Sequence, residues 1–303
     1  MPDGSEVRLG YGVLWNRSRE ATWSRTPLSL LESLEATGPL VDLGDDRAWH
    51  RRMHILRHPH VQRWRVTSSW RTQESVMEAA ARSIAAEAAA ARVDAILTVG
   101  DLGTFAHPFF LYQDLSYDLV ARELAVGNPG AEDQFARLTA GRRMALRDRQ
   151  HRIFAAAGGI LAMSQWYADS LVADSGLDPA KVHVVRPGAT SAGAAPVPPD
   201  RRRRDVIFVG RDFDRKGGAL AVDAVASLRA DGLELGLTII GPDAWPLATS
   251  PPEWVDFLGP QPESVVASQM VSHAAFVLPT HFEAFGIVFA EALRAGTPVV
   301  GPR

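Results

Sequence analysis

Short apolar runs alternate with longer helical patterns along nearly the whole chain. In the first 190 residues, six apolar runs predict strands: 7–15, 40–43, 95–100, 109–112, 159–163 and 182–185. Four segments with helical periodicity lie between them: 26–35, 75–92, 142–157 and 166–175. Strands that alternate with helices are typical of an α/β fold with a mainly parallel sheet.

The pattern is interrupted near residue 190. Residues 188–199 are rich in glycine, alanine and proline, which is the composition of a linker, and the arginine run 201–204 follows them. We interpret this run as a solvated linker edge, with contact to an anionic surface as the alternative. The sequence therefore predicts a first domain over 1–190, a linker over 191–204 and a second domain over 205–303.

The second domain repeats the α/β alternation. Its predicted strands are 206–209, 235–240, 253–258, 274–278 and 299–300, and its predicted helices are 219–230, 264–272 and a helix that begins near 287. We expect a second parallel sheet, with loops at the carboxyl ends of its strands available for a ligand.

Composition excludes several classes of function. The chain has no cysteine, which removes disulfides, thiolate catalysis and cysteine metal sites. A net charge of −3 gives no reason to expect a nucleic-acid partner. The start is polar and acidic, unlike a signal peptide, and no apolar run approaches the roughly 18 residues that a bilayer span needs. We therefore expect a cytoplasmic protein.

The first candidate motif is 208–218, where a buried strand ends in Gly210 and a charged loop leads to two glycines. Arg211 is suited to grip phosphate oxygens in a bidentate way, and Lys216 supplies a mobile point charge. A surface turn with ordinary salt bridges explains these residues equally well. The spacing fits neither the P-loop nor the dinucleotide-binding fingerprint.

The second candidate motif is 279–293, where Glu283 and Glu291 lie eight residues apart across a loop-to-helix junction. Backbone N–H groups of Phe285, Gly286 and Ile287 open the predicted helix beside them, and helix N-termini favour anions. One carboxylate from the loop and one from the helix would meet at the end of the sheet. The alternative is two solvated acids attracted by the helix dipole.

Together these motifs resemble the GT-B glycosyltransferases of the retaining family 4 group, also called glycosyl transferases group 1. That group carries a strand-G-R-x(n)-K-G segment and an E-x7-E segment, in the order found here. Residues 255–259 are similar to its "v-x-F-x-G" strand, and residues 291–300 to its "E-A-x-A-x-G-x-P-V-V" segment. The first domain resembles the group more loosely, at 159–164 and 181–188.

The resemblance implies two Rossmann-like domains with a cleft between them. It implies a retaining transfer of a sugar from a UDP-sugar or GDP-sugar to the hydroxyl of a glycan, lipid or small-molecule acceptor, with no metal or cofactor required. Arg211 and Lys216 would hold the diphosphate, Glu283 the sugar and Glu291 the ribose. The remaining donor-side residues would be Gly210, His281, Phe285, Gly286 and Ile287.

The first domain departs from the group in two places. The loop after the first strand, residues 15–24, lacks the glycines that many members carry there. After the strand 109–112, Gln113 stands where many members have histidine. This leaves Asp114 as an acceptor-hydroxyl contact or catalytic base, or else as a cap of the following turn.

Two further expectations concern partners and length. The arginines spread along 142–152 favour a solvated helix face, with peripheral contact to the inner face of a membrane as the alternative. In the family the second domain continues past this point, so we expect an incomplete second sheet with an exposed apolar edge at Val299-Val300. The alternative function is that of a truncated, non-catalytic nucleotide-sugar-binding protein.

Overall fold

The structure is a computed structural model. It describes residues 7–16, 18–20, 22–44, 59–62, 65–68, 73–128, 130–131, 138–189, 197–198 and 202–302. The chain divides into two compact units, one formed by Met1–Arg122 with Leu138–Pro187 and the other by Glu123–Arg137 with Gly188–Arg303.

A six-stranded parallel sheet forms the centre of the first unit. Its strands are β1 (Leu9–Val13), β2 (Leu40–Asp42), β5 (Ala95–Val99), β6 (Phe109–Gln113), β7 (Gly159–Ala162) and β8 (Val182–Val184), in the order β2-β1-β5-β6-β7-β8. Between β2 and β5 in the chain, β3 (Pro59–Gln62) and β4 (Arg65–Ser68) form an antiparallel pair. The direction of the strand order reverses at β1 and β5, so these strands mark the topological switch point of the sheet.

Helices flank these strands in the chain. They are α1 (Thr26–Glu35), α2 (Glu74–Ala91), α3 (Tyr117–Ala125), α4 (Ala140–Ala156) and α5 (Gln165–Ala173), with short 3-10 turns at Trp23–Arg25 and Pro179–Lys181. In α2 the buried positions Val76, Ala80, Ile84 and Ala88 repeat every fourth residue, so one face packs on the sheet. Ile84 meets the strands in a continuous apolar core, where a fully buried side chain of this size contributes about 1.5–3 kcal/mol.

The second unit has a five-stranded parallel sheet. Its strands are β9 (Arg203–Val209), β10 (Leu237–Ile240), β11 (Val255–Gly259), β12 (His273–Val277) and β13 (Val299–Val300), in the order β11-β10-β9-β12-β13. Its helices are α6 (Gly218–Ala230), α7 (Glu263–Ser272) and α8 (Ile287–Arg294). The strand order reverses between β9 and β12, so the loops after these two strands meet at the switch point.

An apolar core joins this sheet to its helices, with Phe208 and Phe276 fully buried at its centre. At one edge of the sheet, β13 pairs with β12, and the side chain of Val300 is 54% exposed.

The elements differ from the sequence predictions in three places. The β3–β4 pair and α3 were not predicted: the two strands have four residues each, and α3 has only nine. Strand β9 begins at Arg203, inside the stretch predicted to be linker, so Arg203 and Arg204 lie on the sheet. Both of these side chains are exposed, and the guanidinium of Arg203 pairs with Asp205 at 3.0 Å.

Candidate functional site

The two candidate motifs lie side by side at the carboxyl edge of the second sheet. The first forms the β9 loop, residues 210–217, and the second forms the β12 loop, residues 278–286. Strands β9 and β12 are parallel neighbours, so both loops leave the sheet at the same edge. This is the position where open α/β sheets bind ligands.

An ion pair connects the loops: the ammonium of Lys216 contacts Oε2 of Glu283. Nη1 of Arg215 lies 3.7 Å from the same oxygen. The side chains of Arg215, Lys216 and Glu283 are only 16%, 14% and 22% exposed, so these charges interact in a partly desolvated place. One carboxylate oxygen is thus shared by two cations.

Backbone hydrogen bonds hold the same two loops together. The carbonyl of Arg215 accepts the N–H of His281 at 3.0 Å, and the hydroxyl of buried Thr280 lies 3.2 Å from it. The guanidinium of Arg215 donates to the carbonyl of Phe282 at 2.8 Å. Arg215 therefore joins the β12 loop through both its backbone and its side chain.

Glycines permit this close approach. Gly217 has φ of 73°, and a Cβ there would overlap the carbonyl of Pro279 in the β12 loop. Gly286 has φ of 74°, and a Cβ there would lie 3.0 Å from Cγ of Glu283. A Cβ on Gly210 would lie 3.1 Å from Cγ of Lys216. A larger residue at any of these positions would displace a loop or a charged side chain.

Aromatic packing anchors the β9 loop to the core. Phe213 lies in the middle of the loop but is only 4% exposed, and its ring contacts Phe208 on β9 edge-on at 5.7 Å. Its other neighbour is Trp245, with ring centroids 6.4 Å apart. The charged residues on either side of Phe213 are thereby held on a fixed segment of chain.

Electrostatics at the site favour an anionic ligand. Helices α6 and α8 begin directly after Gly217 and Gly286, and no side chain caps either N-terminus. The first N–H groups of a helix have no intrahelical partner, so helix N-termini favour phosphate and other anions; in α6 the N–H of Gly218 already donates to the carbonyl of Phe213 at 2.8 Å. Burial, and then the Arg215 guanidinium, lower the pKa of Lys216 to about 8. The carboxylate of Asp212 opposes this shift.

The other predicted donor-side residues lie in the same two loops and in α8. Arg211 and His281 are exposed, and neither forms an ion pair with another residue that the structure describes. Glu291 is half-buried in the second turn of α8, and Phe285 and Ile287 are half-buried at the start of that helix. Within the described ranges, no three His, Asp or Glu side chains cluster as a metal site would require.

Sequence reasoning missed Arg215 and Thr280. Arg215 directly precedes Lys216, but the spacing gives no sign that it reaches a loop 67 residues away. Thr280 precedes His281 and reads as a strand-end residue. Only the contacts between the loops reveal these roles.

In the first unit, Gln113 is the last residue of β6 and Asp114 follows it. Gln113 is 3% exposed, and its side-chain carbonyl lies 3.4 Å from the hydroxyl of Tyr167, so it is a buried residue. Ser116 caps α3 by accepting the N–H of Leu119 at 3.2 Å, and the two roles considered for Asp114 both stay predictions. Burial raises the pKa of Asp114 to about 6.

An open cavity of about 310 Å³, lined by both apolar and charged side chains, lies elsewhere in the first unit, between α2, α4 and the loop after β5. Its lining includes Glu74 and Glu78 on α2 and Arg149 and Arg152 on α4. Arg149 is buried and donates to the carbonyl of Asp101 at 2.7 Å and to that of Leu102. The cavity thus places carboxylates opposite guanidinium groups.

The arginines of α4 are mostly engaged within the unit. Arg147 pairs with Asp118, and Arg142 lies 3.8 Å from Glu74. Arg149 is buried beside Asp101, and Arg143 donates to the carbonyl of Leu138 at 2.9 Å. The helix is therefore not a row of unengaged cations. In the part of the chain that the structure describes, no helix is long and apolar enough to span a bilayer.

Comparison with known proteins relates part of the chain to a family of enzymes. The model of glycosyl transferases group 1 matches residues 195–302, which include both loops of the site. The D-inositol 3-phosphate glycosyltransferase of Actinosynnema mirum is 32% identical over 177 residues, which are 50% of this chain and 42% of that relative. The chain thus spans less than half the length of the curated relatives it matches.

Solved structures agree on the fold. Sucrose-phosphate synthase from Thermosynechococcus elongatus superimposes with a TM-score of 0.63 at 16% identity, covering 97% of this chain and 81% of that one. The catalytic domain of starch synthase IV from Arabidopsis thaliana gives a TM-score of 0.61 at 11% identity, covering 98% and 83%. The chain therefore has the GT-B fold, and its residues 195–302 match the model of glycosyl transferases group 1.

Proposed function

We propose that the protein is a retaining glycosyltransferase that moves a sugar from a nucleotide-diphosphate sugar to an acceptor hydroxyl. One observation carries this proposal: Lys216 and Glu283, from two different loops, meet at the switch point of the second sheet. A cation for a diphosphate and a carboxylate for sugar hydroxyls are the two groups that such a donor requires in one place.

The cations act on the leaving group. As the bond between the sugar and the diphosphate breaks, negative charge grows on the phosphate oxygens. Lys216 and Arg211, with the N–H groups at Gly286 and Ile287, stabilise this charge, and fixed donors of this kind each contribute about 10²–10³ in rate. The backbone at Gly210 lets the diphosphate approach, and exposed His281 lies beside it.

The carboxylates bind the donor. Glu283 accepts hydrogen bonds from the sugar hydroxyls, and Glu291 accepts them from the ribose. Glu283 is a poor covalent nucleophile because Lys216 and Arg215 both neutralise it. The acceptor oxygen therefore attacks the anomeric carbon on the face that the diphosphate leaves, so the configuration is retained.

The proton of the acceptor hydroxyl passes to the departing phosphate oxygen in this mechanism. Asp114 is the protein group that we propose as an acceptor contact or alternative base. With a pKa of about 6, its carboxylate is mostly ionised at neutral pH and able to accept a hydrogen bond.

For the acceptor we propose a polyol that carries a phosphate, bound in the cavity of the first unit. The curated relatives are named for D-inositol 3-phosphate, which has this chemistry. Exposed Arg152 would hold the phosphate, because Arg149 is already engaged by two backbone carbonyls, and Glu74 and Glu78 would accept hydrogen bonds from ring hydroxyls.

Calorimetry tests the donor site. UDP, GDP and ADP are titrated into the protein; ADP is included because the starch synthase structure contains it. Lys216→Ala should weaken binding of the preferred nucleotide by about 10- to 100-fold, since a charge-assisted contact contributes about 1.5–3 kcal/mol. Lys181→Ala is the matched control, because it changes the other of the two lysines.

Hydrolysis of the matching nucleotide sugar tests catalysis. Turnover should fall at least tenfold in Glu283→Ala and in Lys216→Ala. Unchanged turnover in both variants would refute the site. Nucleotide binding without any turnover would favour the non-catalytic binding protein instead.

Arg152→Gln tests the acceptor site. Transfer to inositol phosphate should fall while nucleotide affinity stays the same, because the arginine lies in the first unit and the nucleotide site in the second. Equal transfer by wild type and variant would refute the proposed acceptor cavity.

A further inference from the structure

Arg215 is the most heavily connected residue of the candidate site, although it matches no position of the family motif. Its guanidinium contacts three different groups: Asp212 at 3.1 Å, the carbonyl of Phe282 at 2.8 Å and Oε2 of Glu283 at 3.7 Å. Its carbonyl accepts the N–H of His281. The side chain is 16% exposed, so solvent only partly screens these contacts.

Two cationic side chains, Lys216 and Arg215, lie beside Glu283, and they differ in how firmly they are held. Lys216 has a flexible chain, and a bound diphosphate offers it more negative charge than one carboxylate does. Arg215 is fixed by Asp212 on one side and by Phe282 on the other. When Lys216 turns towards the phosphates, Arg215 remains to hold Glu283.

We propose that Arg215 is a positioning residue, which keeps the Glu283 carboxylate aimed at the donor sugar when Lys216 engages the diphosphate. This rests on the proposed function. Arg215 touches neither the sugar nor the phosphates in this role. It acts through Glu283 and through the backbone of the β12 loop.

The role predicts separate effects on the two parts of the donor. In Arg215→Gln the phosphate contacts persist, so affinity for UDP or GDP stays within about threefold of wild type. The sugar contacts suffer, so kcat for hydrolysis of the matching UDP-glucose or GDP-mannose falls about tenfold or more. Arg215→Lys keeps one charge and recovers part of the loss.

Arg229→Gln is the matched control. Arg229 also donates to a backbone carbonyl of the second unit, that of Leu235 at 2.8 Å, but it lies at the end of α6 that is remote from the two loops. Its hydrolysis rate should match that of wild type. An Arg215→Gln variant that loses nucleotide affinity and turnover together, or neither, would overturn the positioning role.

A second readout needs no nucleotide. The chain has only two lysines, Lys181 and Lys216, so ¹³C-lysine labelling gives one Cε titration curve for each. Because the Arg215 charge lowers the pKa of Lys216, Arg215→Gln should move that curve upward by about half a pH unit or more and leave Lys181 unchanged.

The two readouts separate the proposals. A wild-type protein that binds none of the nucleotides refutes the proposed function. The lysine titration still shows, in that case, whether Arg215 acts on the ion pair of Lys216 and Glu283. An unshifted Lys216 curve in Arg215→Gln would show that Arg215 does not act on the ion pair, and would overturn the inference.

Discussion

The carboxyl edges of the two sheets have related topologies but are built differently. In the second unit, every described residue with positive φ is a glycine, and the loops join through backbone contacts. In the first unit, Trp23, Ser24 and Arg25 after β1 have φ of 43°, 52° and 66°. A buried arginine, Arg149, holds the loop after β5.

This difference separates a preorganised site from a strained one. Glycine adopts positive φ at no steric cost, whereas other residues lose about 1–2 kcal/mol each. The second edge therefore brings its charges together with little stored strain. The first edge retains strained backbone of the kind that clusters at ligand-binding segments.

The largest expected effect comes from filling the space between the two loops of the second unit. Gly217→Ala would force a Cβ into the carbonyl of Pro279 and hold alanine at φ of 73°. We expect a loss of about 3–5 kcal/mol in local stability, together with loss of nucleotide binding. Hydrogen exchange of peptides from β9 and β12 measures the loss of local stability.

Gly232→Ala is the control for this prediction. Gly232 also has positive φ, 92°, but a Cβ there would meet no atom within 4 Å. The Gly232→Ala variant should lose only the stability that it costs to hold alanine at positive φ, about 1 kcal/mol. Equal losses in the two variants would show that contact between the loops contributes nothing.

The next effect concerns the first unit. Arg149→Gln removes a buried guanidinium that lies 3.7 Å from the carboxylate of Asp101 and donates to two carbonyls. Leaving those groups unpaired should cost about 3 kcal/mol, measured by hydrogen exchange of β5. Arg152→Gln, an exposed change on the same helix, should leave β5 protection intact; a matching loss there would contradict the assignment.

The sequence predicted strands β5, β6, β7, β9 and β12 because each is an apolar run bounded by loop residues. It missed α3, a nine-residue helix in which Asp118 is buried beside Leu119 and Val120. Asp118 is paired with His151 at 2.6 Å and with Ser175 at 2.7 Å, and such long-range partners leave no periodic signal.

For the candidate site, the sequence supplied Lys216 and Glu283 by resemblance to a family. It did not supply their contact, because two residues 67 positions apart meet only when β9 and β12 pair. Arg215 was missed for the same reason. Local pattern identifies elements and motifs, whereas the pairing of side chains between loops depends on the order of strands in the sheet.

The pH dependence of the first unit gives a third, smaller effect. Burial raises the pKa of Asp101 and of Asp114 to about 6, above the ordinary value near 4. The folded unit therefore binds protons more tightly than the unfolded chain between about pH 4 and 6. The contribution of these two carboxyls to the free energy of unfolding should be greatest below pH 4 and fall by about 2 kcal/mol for each carboxyl as pH rises through 6.

Asp101→Asn should reduce by one the number of protons that folding binds, so the free energy of unfolding should change less steeply with pH. Hydrogen exchange of β5 and β6 at several pH values measures this slope. Exposed Asp148 on α4 offers the control, since Asp148→Asn should leave the slope unchanged. A slope that survives in the Asp101 and Asp114 double variant would mean that other groups cause it.

The smallest effect tests whether the first unit does store backbone strain. Arg92 follows the last residue of α2 with φ of 54°, its side chain is exposed, and its N–H bonds back to Ala88 and Ala89. Glycine is the usual residue at this place in a helix end. Arg92→Gly should therefore raise the stability of α2 by about 0.5–1 kcal/mol, in hydrogen exchange or denaturant unfolding. Arg92→Ala keeps the strained φ and removes the side chain, so it should change stability little. Arg92 lies at the amino end of β5, so it tests the cost of positive φ in a residue other than glycine and not the carboxyl edge itself. A gain with alanine as large as with glycine would place the cost in the arginine side chain, and the strain assigned to Trp23, Ser24 and Arg25 would then lose its support.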